Sequence, residues 1–342
     1  MTRDIIIGDL HGCWAEFEQL LDELHVTDAD RLISVGDLVD RGPDSLRLWR
    51  YFRDRPNSVV VMGNHERKHV RGVLSPSQEI VRLQFGDEYE TFRAWAAELP
   101  YVFETEHCVI VHGGFDPNLP LDQQREDVLS ATTGGTKHLA RTLGDRDWAD
   151  LYRGSKPIVF GHRVVGDDVQ RWGEHAWGID TGACHGGYLT ALVVPDFTVH
   201  RVRAHADHWS IERRTWERPL LEAQSWASFR FKKLARELGV LEKRRSTVSR
   251  DFAASLRAWL RALDAALPAL IDRATARCRE LEAQHDGKAF KHAAATEPYP
   301  GLLFSAHAGS LDPATAKTQL NTPEAIERAL KAFGLPVPER YG

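Results

Sequence analysis

The sequence predicts an α/β fold: a two-sheet β-sandwich flanked by helices, followed by a mainly helical C-terminal extension. Three observations lead there. Short apolar runs recur through the first 204 residues, the earliest of them closing on glycines. A helical stripe separates the first two runs, and near residue 204 both the periodicity and the sign of the charge change. The chain has 342 residues, 42% hydrophobic and 27% charged, enough for two units with a sizeable buried core.

Residues 4–8, 31–36 and 58–63 read as buried strands, each ending at a glycine. Between the first two, Trp14, Phe17, Leu20, Leu21 and Leu24 lie on one helical face. Strand, helix, strand in succession implies parallel strands covered by helices, with ligands gathering beyond the carboxyl ends of the strands. Residues 78–99 read as helical. Strand-like runs follow at 101–105, 108–111, 157–160, 176–179, 188–194 and 198–202. Long helices are expected at 219–238, 249–267 and 268–284, and a last helix capped by Thr322 with Pro323 at its first position. The stretch 285–321 carries no clear period.

Charge supports the same division. Residues 1–204 hold 22 basic and 32 acidic side chains, whereas residues 205–342 hold 22 and 17. The expected units are therefore 1–204, carrying the chemistry, and 205–342, a basic, mainly helical region. Cys13, Cys108, Cys184 and Cys278 are scattered without a CxxC pair and read as free thiols in a reducing compartment. The first apolar run is too short to span a membrane and lacks the layout of a cleavable signal. A cytoplasmic protein with no membrane partner is expected.

Five polar clusters close the apolar runs: Gly8-Asp9-Leu10-His11-Gly12, Gly36-Asp37-Leu38-Val39-Asp40-Arg41-Gly42, Gly63-Asn64-His65-Glu66, Val111-His112-Gly113-Gly114 and Gly161-His162-Arg163. Asp9 and His11 stand two apart at a strand end, where side chains share a side. Aspartate, asparagine and neutral imidazole suit Mn²⁺, Fe²⁺, Zn²⁺ or Mg²⁺ better than a soft metal. Each cluster alone is weak, since a lone Asp-x-His, His112 or His162 is more often structural. Five in this order, all at strand ends, would need five separate structural explanations.

The order GDxHG, GDxxDRG, GNHE and two later histidines resembles the phosphoprotein phosphatase branch of the calcineurin-like metallophosphoesterases, over roughly residues 4–203. The resemblance implies a β-sandwich flanked by helices and two divalent metal ions, Mn²⁺ ahead of Fe, Zn, Mg, Ni or Co. Asp9, His11 and Asp37 would hold the first ion. Asp37 would bridge to the second, completed by Asn64, His112 and His162. A metal-bridging hydroxide would attack phosphorus directly, with no phosphoenzyme. His65 would protonate the leaving oxygen, Asp40 would orient His65, and Arg41 and Asn64 would bind the substrate phosphate. A second phosphate-binding arginine is usual in the family. Arg153 is the first candidate for it, with Arg146 and Arg163 as alternatives. The run from Gly178 to Cys184 also resembles a family signature, in which Asp180 either supports a metal ligand or simply stabilises a turn. Cys184 is read as a small neutral side chain, and His205 and His208 as solvent-facing.

Bacterial symmetrical diadenosine tetraphosphatases resemble this chain but typically read GDLVNRG and GNHD. Here Asp40 and Glu66 stand instead, the form associated with Ser/Thr protein phosphatases. The expected reaction is hydrolysis of phosphate monoesters, above all of Ser/Thr phosphoproteins, with a small phosphoester as the other substrate class. The alternative is a nucleotide or RNA-end phosphoesterase, either a diadenosine tetraphosphatase or a 2′,3′-cyclic phosphodiesterase. Residues 213–261 hold 13 basic and 5 acidic side chains, interleaved with Trp216, Trp226, Phe229 and Phe231 and preceded by Trp209. Such a stripe fits nucleic acid or another polyanion. The stronger expectation is that the aromatics form core and the charges a solvated face. The complete polar set argues against a scaffold that has lost catalysis.

Overall fold

Strand β1 (Asp4–Ile7) begins the first of two five-stranded sheets in the computed structural model, which describes residues 3–341. The others are β2 (Arg31–Ser34), β3 (Ser58–Val60), β4 (Val102–Glu104), β5 (Val109–Val111), β6 (Ile158–Phe160), β7 (Gln170–Trp172), β8 (Ala176–Gly178), β9 (Tyr188–Val194) and β10 (Thr198–Arg203). The first sheet runs β10-β9-β1-β2-β3, and the second β4-β5-β6-β8-β7. β1, β2 and β3 are parallel, as are β5, β6 and β8, so two sets of carboxyl ends are available for loops that carry ligands.

Side-chain alternation builds the layers. Ile5 and Ile7 of β1 join Phe17, Leu20, Trp49, Phe52 and Phe92 under the covering helices. Ile6, between them, faces the other way and packs with Ile33, Ile110, Val159 and Leu192 in the seam between the sheets. On the far side of the second sheet, Val109, Val111, Ile158 and Phe160 pack with Phe115, Leu129 and Trp148. Both faces of the central strands are covered, so β1, β5, β6 and β8 are almost wholly apolar, which is why they read as continuous runs.

The region expected to be helical over 78–99 forms two helices, Pro76–Phe85 and Tyr89–Ala97, separated at Gly86, whose φ of 51° interrupts the α-helical ladder. β7 was not anticipated. It is an exposed edge strand, Gln-Arg-Trp, with no apolar run to announce it. By compactness the first unit runs to Trp216. The added helix His208–Thr215 is tied back by Glu16, a fully buried carboxylate that accepts the His205 N–H and His208 Nε2, each at 2.8 Å. Burial opposes ionisation of Glu16, but these two donors hold it down at about 2. His208 is therefore an internal partner, not a solvent-facing histidine.

The second unit, from Glu217 on, is built of helices among the described residues. Its centre is a single helix, Thr247–Gln284, that continues through Pro268, where two helices were expected. A proline inside a helix costs about 3 kcal/mol. Leu256, Leu263 and Leu267 before it and Leu270 and Ala274 after it are buried in one core, and that shared burial offsets the lost hydrogen bond. Trp226 is buried in this core, and Phe229 and Phe231, partly buried, pack against it. The stretch without clear period holds three helices, Gly287–Thr296, Pro300–His307 and Pro313–Leu320. Thr322 caps the last one, Pro323–Ala332, accepting the Ala325 N–H at 3.1 Å. All four cysteines are buried and unpaired. Among the described residues, no helix is long and apolar enough to cross a membrane.

Candidate active site

The five polar clusters leave the carboxyl ends of β1, β2, β3, β5 and β6. Backbone geometry sets them apart from ordinary loops. His11, Asp37, Asp40, Arg41 and His162 all have positive φ, between 42° and 76°, which costs a residue with a Cβ about 1 kcal/mol or more. Five such residues in one place means that surrounding contacts hold the loops in shape. Two glycines make room for the carboxylates. A Cβ at Gly161 would collide with Asp9 Oδ1, and one at Gly63 with Asp37 Oδ1.

The side chains converge as ligands to a cation would. His11 Nδ1 lies 3.0 Å from the Val39 carbonyl and His112 Nδ1 3.0 Å from that of Val35. A carbonyl only accepts, so each Nδ1 carries the proton and each Nε2 presents a lone pair. Burial keeps both imidazoles neutral by lowering their pKa values. Yet His11 Nε2 faces Asp37 Oδ2 at 3.5 Å and Asp9 Oδ2 at 4.0 Å, while His112 Nε2 faces Asp37 Oδ1 at 3.3 Å. Lone pairs aimed at carboxylate oxygens repel unless a cation lies between them. The carboxylates tell the same story. Burial, then Asp180 and Asp37, push Asp9 well above the usual range, because these buried acids cannot all be ionised without positive charge nearby. The donor set fits divalent metal. Asp37 belongs to two groups of closely spaced ligand atoms, one with His11 and His65, the other with His112 and His162. Asn64 Oδ1 stands 2.9 Å from His112 Nε2 and 2.8 Å from His162 Nδ1. Burial, then His112, lowers His162 to about 4, so it too is a neutral donor.

Beside this cluster, His65 is held from behind. Its Nδ1 meets Asp40 Oδ2 at 2.5 Å, and its Nε2 lies 3.1 Å from Arg41 Nη2. Burial opposes protonation of His65, but Asp37 and Asp40 outweigh it and raise its pKa. Asp40 itself is completely buried. Its Oδ1 takes His69 Nε2 at 3.0 Å, its Oδ2 also takes Gln78 Nε2, and His69 Nδ1 lies 3.0 Å from the Tyr89 hydroxyl.

A calcineurin-like phosphoesterase family profile matches residues 3–205, more than half of the chain. The chain belongs to the calcineurin-like phosphoesterase family. It is therefore a metal-dependent phosphoester hydrolase. It is 31% identical over 228 residues to bis(5′-nucleosyl)-tetraphosphatase PrpE [asymmetrical] of Bacillus thuringiensis (strain Al Hakam), covering 56% of this chain and 90% of that protein. The protein of the same name from Bacillus anthracis (strain CDC 684 / NRRL 3495) is 30% identical over the same shares. A solved structure described as a provisional diadenosine tetraphosphatase superposes with a TM-score of 0.50 at 29% identity, covering 59% of this chain and 94% of that one.

Not every residue singled out from the phosphoesterase motifs joins the site. Arg153 is exposed, bonds through Nη1 to the Tyr152 carbonyl at 2.6 Å, and lines a separate cavity with Pro117, Leu121 and Tyr152. Arg163 pairs with Asp147 at 2.6 Å and packs over Trp172, and Arg146 bonds the Leu143 carbonyl. Two arginines line a cavity together with Asn64 and His162: Arg67, three residues beyond Asn64 on the same helix, and Arg71 at that helix's end, both overlooked because charge on a helix is usually solvated. Asp180 accepts the Gly182 N–H at 3.0 Å as a turn aspartate, and burial followed by Asp37 raises it to about 6. Burial pushes the Cys184 thiol to about 12, so it stays neutral beside Arg41.

Glu66 and His69 were missed as supporting residues. Glu66 is fully buried and accepts N–H groups from Asp37, Leu38, Val39 and Gly63, at 2.9–3.3 Å, so it shapes the loop that presents Asp37. Glu66→Gln turns an amide donor toward some of these N–H groups. It should cost about 1–3 kcal/mol of stability, readable as a lower urea midpoint with unchanged slope. An unchanged midpoint would show that the loop holds its shape without the carboxylate.

Proposed function

We propose that this phosphoesterase hydrolyses the phosphoanhydride chain of a dinucleoside polyphosphate. The chemistry is carried by one observation, the convergence of Asp9, His11, Asp37, Asn64, His112 and His162 on one space beside Arg41 and His65. The substrate class is supported by the tetraphosphatases to which the chain is similar over nine-tenths of their length. The two motif letters that pointed to phosphoproteins carry less weight. Asp40 and Glu66 are both completely buried and fully engaged inside the protein, so neither touches a substrate.

In this reading Asp9, His11 and Asp37 hold one divalent ion, and Asp37, Asn64, His112 and His162 a second. When bound, the ions supply Lewis acidity at the phosphoryl oxygens and lower the pKa of water. The chain's own residues do the rest. Hydrolysis forms a bond from a water oxygen to phosphorus, breaks the bridging P–O bond and releases one proton to solvent. The departing oxygen takes its proton from His65, which recovers one from solvent and whose orientation Asp40 maintains. Arg41 Nη2 lies close to His65 Nε2, so the guanidinium that binds phosphate and the imidazole that serves the leaving oxygen reach the same group.

The test is turnover by metal-stripped protein resupplied with Mn²⁺, comparing diadenosine tetraphosphate, a phosphothreonine peptide and a 2′,3′-cyclic nucleotide. Diadenosine tetraphosphate should lead in kcat/KM by roughly tenfold or more, about 1.4 kcal/mol of transition-state preference. If the peptide leads, the substrate class is a Ser/Thr phosphoprotein instead.

A further inference from the structure

Next to the metal-ligand cluster, a cavity of about 610 Å³ opens between the helix Asn64–Val70 and the helix Thr133–Leu143. That volume lies within the usual range for small-molecule sites. Asn64 and His162 form part of its wall, so it is continuous with the cluster. Its other polar lining is cationic: Arg67, Lys68, Arg71 and Lys137, with several threonines and no carboxylate.

The ion pairs of these four residues decide what the cavity can take. Lys68, Arg71 and Lys137 make no ion pair among the described residues. Arg67 alone has a carboxylate nearby, Glu126 at 3.7 Å, and its Nη1 bonds Ser130 Oγ at 3.2 Å, which fixes the guanidinium in place. The acids of the adjoining cavity, Glu126 and Asp127, lie opposite Arg67 and Arg125, and Asp127 is satisfied by Arg125 at 3.0 Å. Three unpaired cations around one concave space repel one another, and an anion carrying several charges relieves that repulsion most. A single phosphate occupied at the metal cluster would leave them unused.

We propose that this groove is a polyphosphate subsite, holding the phosphates that extend beyond the phosphorus under attack. The proposal rests on the polyphosphate reading above and deepens it. Arg67 is the fixed anchor, while Lys68, Arg71 and Lys137 neutralise the chain as it leaves the cluster. Selection then acts through charge: a chain of several phosphates gains what a phosphoamino acid does not.

The experiment is calorimetric titration of the Mn²⁺-loaded full chain at buffered free Mn²⁺. The probes are bismethylene triphosphate, whose P–C–P links resist hydrolysis, and orthophosphate. The Lys68→Glu/Lys137→Glu double variant should weaken the triphosphate analogue by roughly tenfold or more relative to orthophosphate. Lys68→Ala/Lys137→Ala should shift the ratio in the same direction by less. An unchanged ratio in both variants overturns the subsite. Turnover of diadenosine tetraphosphate by the unaltered protein is scored separately. If it is absent while the ratio shifts, the function reading fails and the groove stands. If it is present while the ratio holds, the groove fails alone.

Discussion

Asp37→Asn should leave a folded protein that retains less metal and turns over substrate roughly a thousandfold more slowly, since metal ions contribute several kcal/mol of transition-state stabilisation. Asp37 is the one carboxylate common to both groups of closely spaced ligand atoms. Its Oδ2 faces His11 and its Oδ1 faces His112, and Oδ1 also accepts the His65 N–H at 3.1 Å. The amide of asparagine donates to an imidazole lone pair, so the loop keeps its shape while one charge and one ligand oxygen are lost. Metal content per chain by mass spectrometry, measured beside kcat/KM, checks both halves. Full metal content with near-normal turnover would remove Asp37 as the shared ligand.

His65→Asn should have the opposite signature. Turnover should fall by roughly 10²–10⁴-fold, the range for losing a positioned acid, with metal content retained. The fall should be largest for an alkyl phosphate, whose leaving oxygen needs a proton, and smallest for an activated aryl phosphate. A phosphoanhydride should lie between them. The geometry supports this division of labour. His65 Nδ1 is committed to Asp40, Asp40 is braced by His69 and Gln78, and Tyr89 stands behind His69. Because His65 also lies within reach of His11 and Asp37, loss of metal in the variant would make it a ligand and remove it as the acid.

Legibility differed by residue type. Strands buried on both faces were readable because burial demands apolar side chains throughout, whereas β7 lies at an exposed edge and needs none. The clusters were readable because positive φ and close approach impose glycines at fixed places around Asp9 and Asp37. Arg153 was singled out by its place along the chain, eight residues before Gly161, which says nothing of where an exposed loop points. Arg67, Glu66 and His69 sit on one short helix with ordinary helical composition, and only the directions of their side chains separate groove, loop support and relay.

The sequence by itself determined the sandwich, its helical companion and the set of groups able to hold metal, because each follows from local constraints: burial pattern, turn geometry and donor chemistry. The tertiary structure alone decided which arginines line the cavity beside Asn64 and His162, what Asp40 and Glu66 are for, and that three unpaired cations share that cavity beside the metal ligands. Those are matters of distance between segments far apart in the chain, and electrostatic interaction depends on that distance, not on sequence separation.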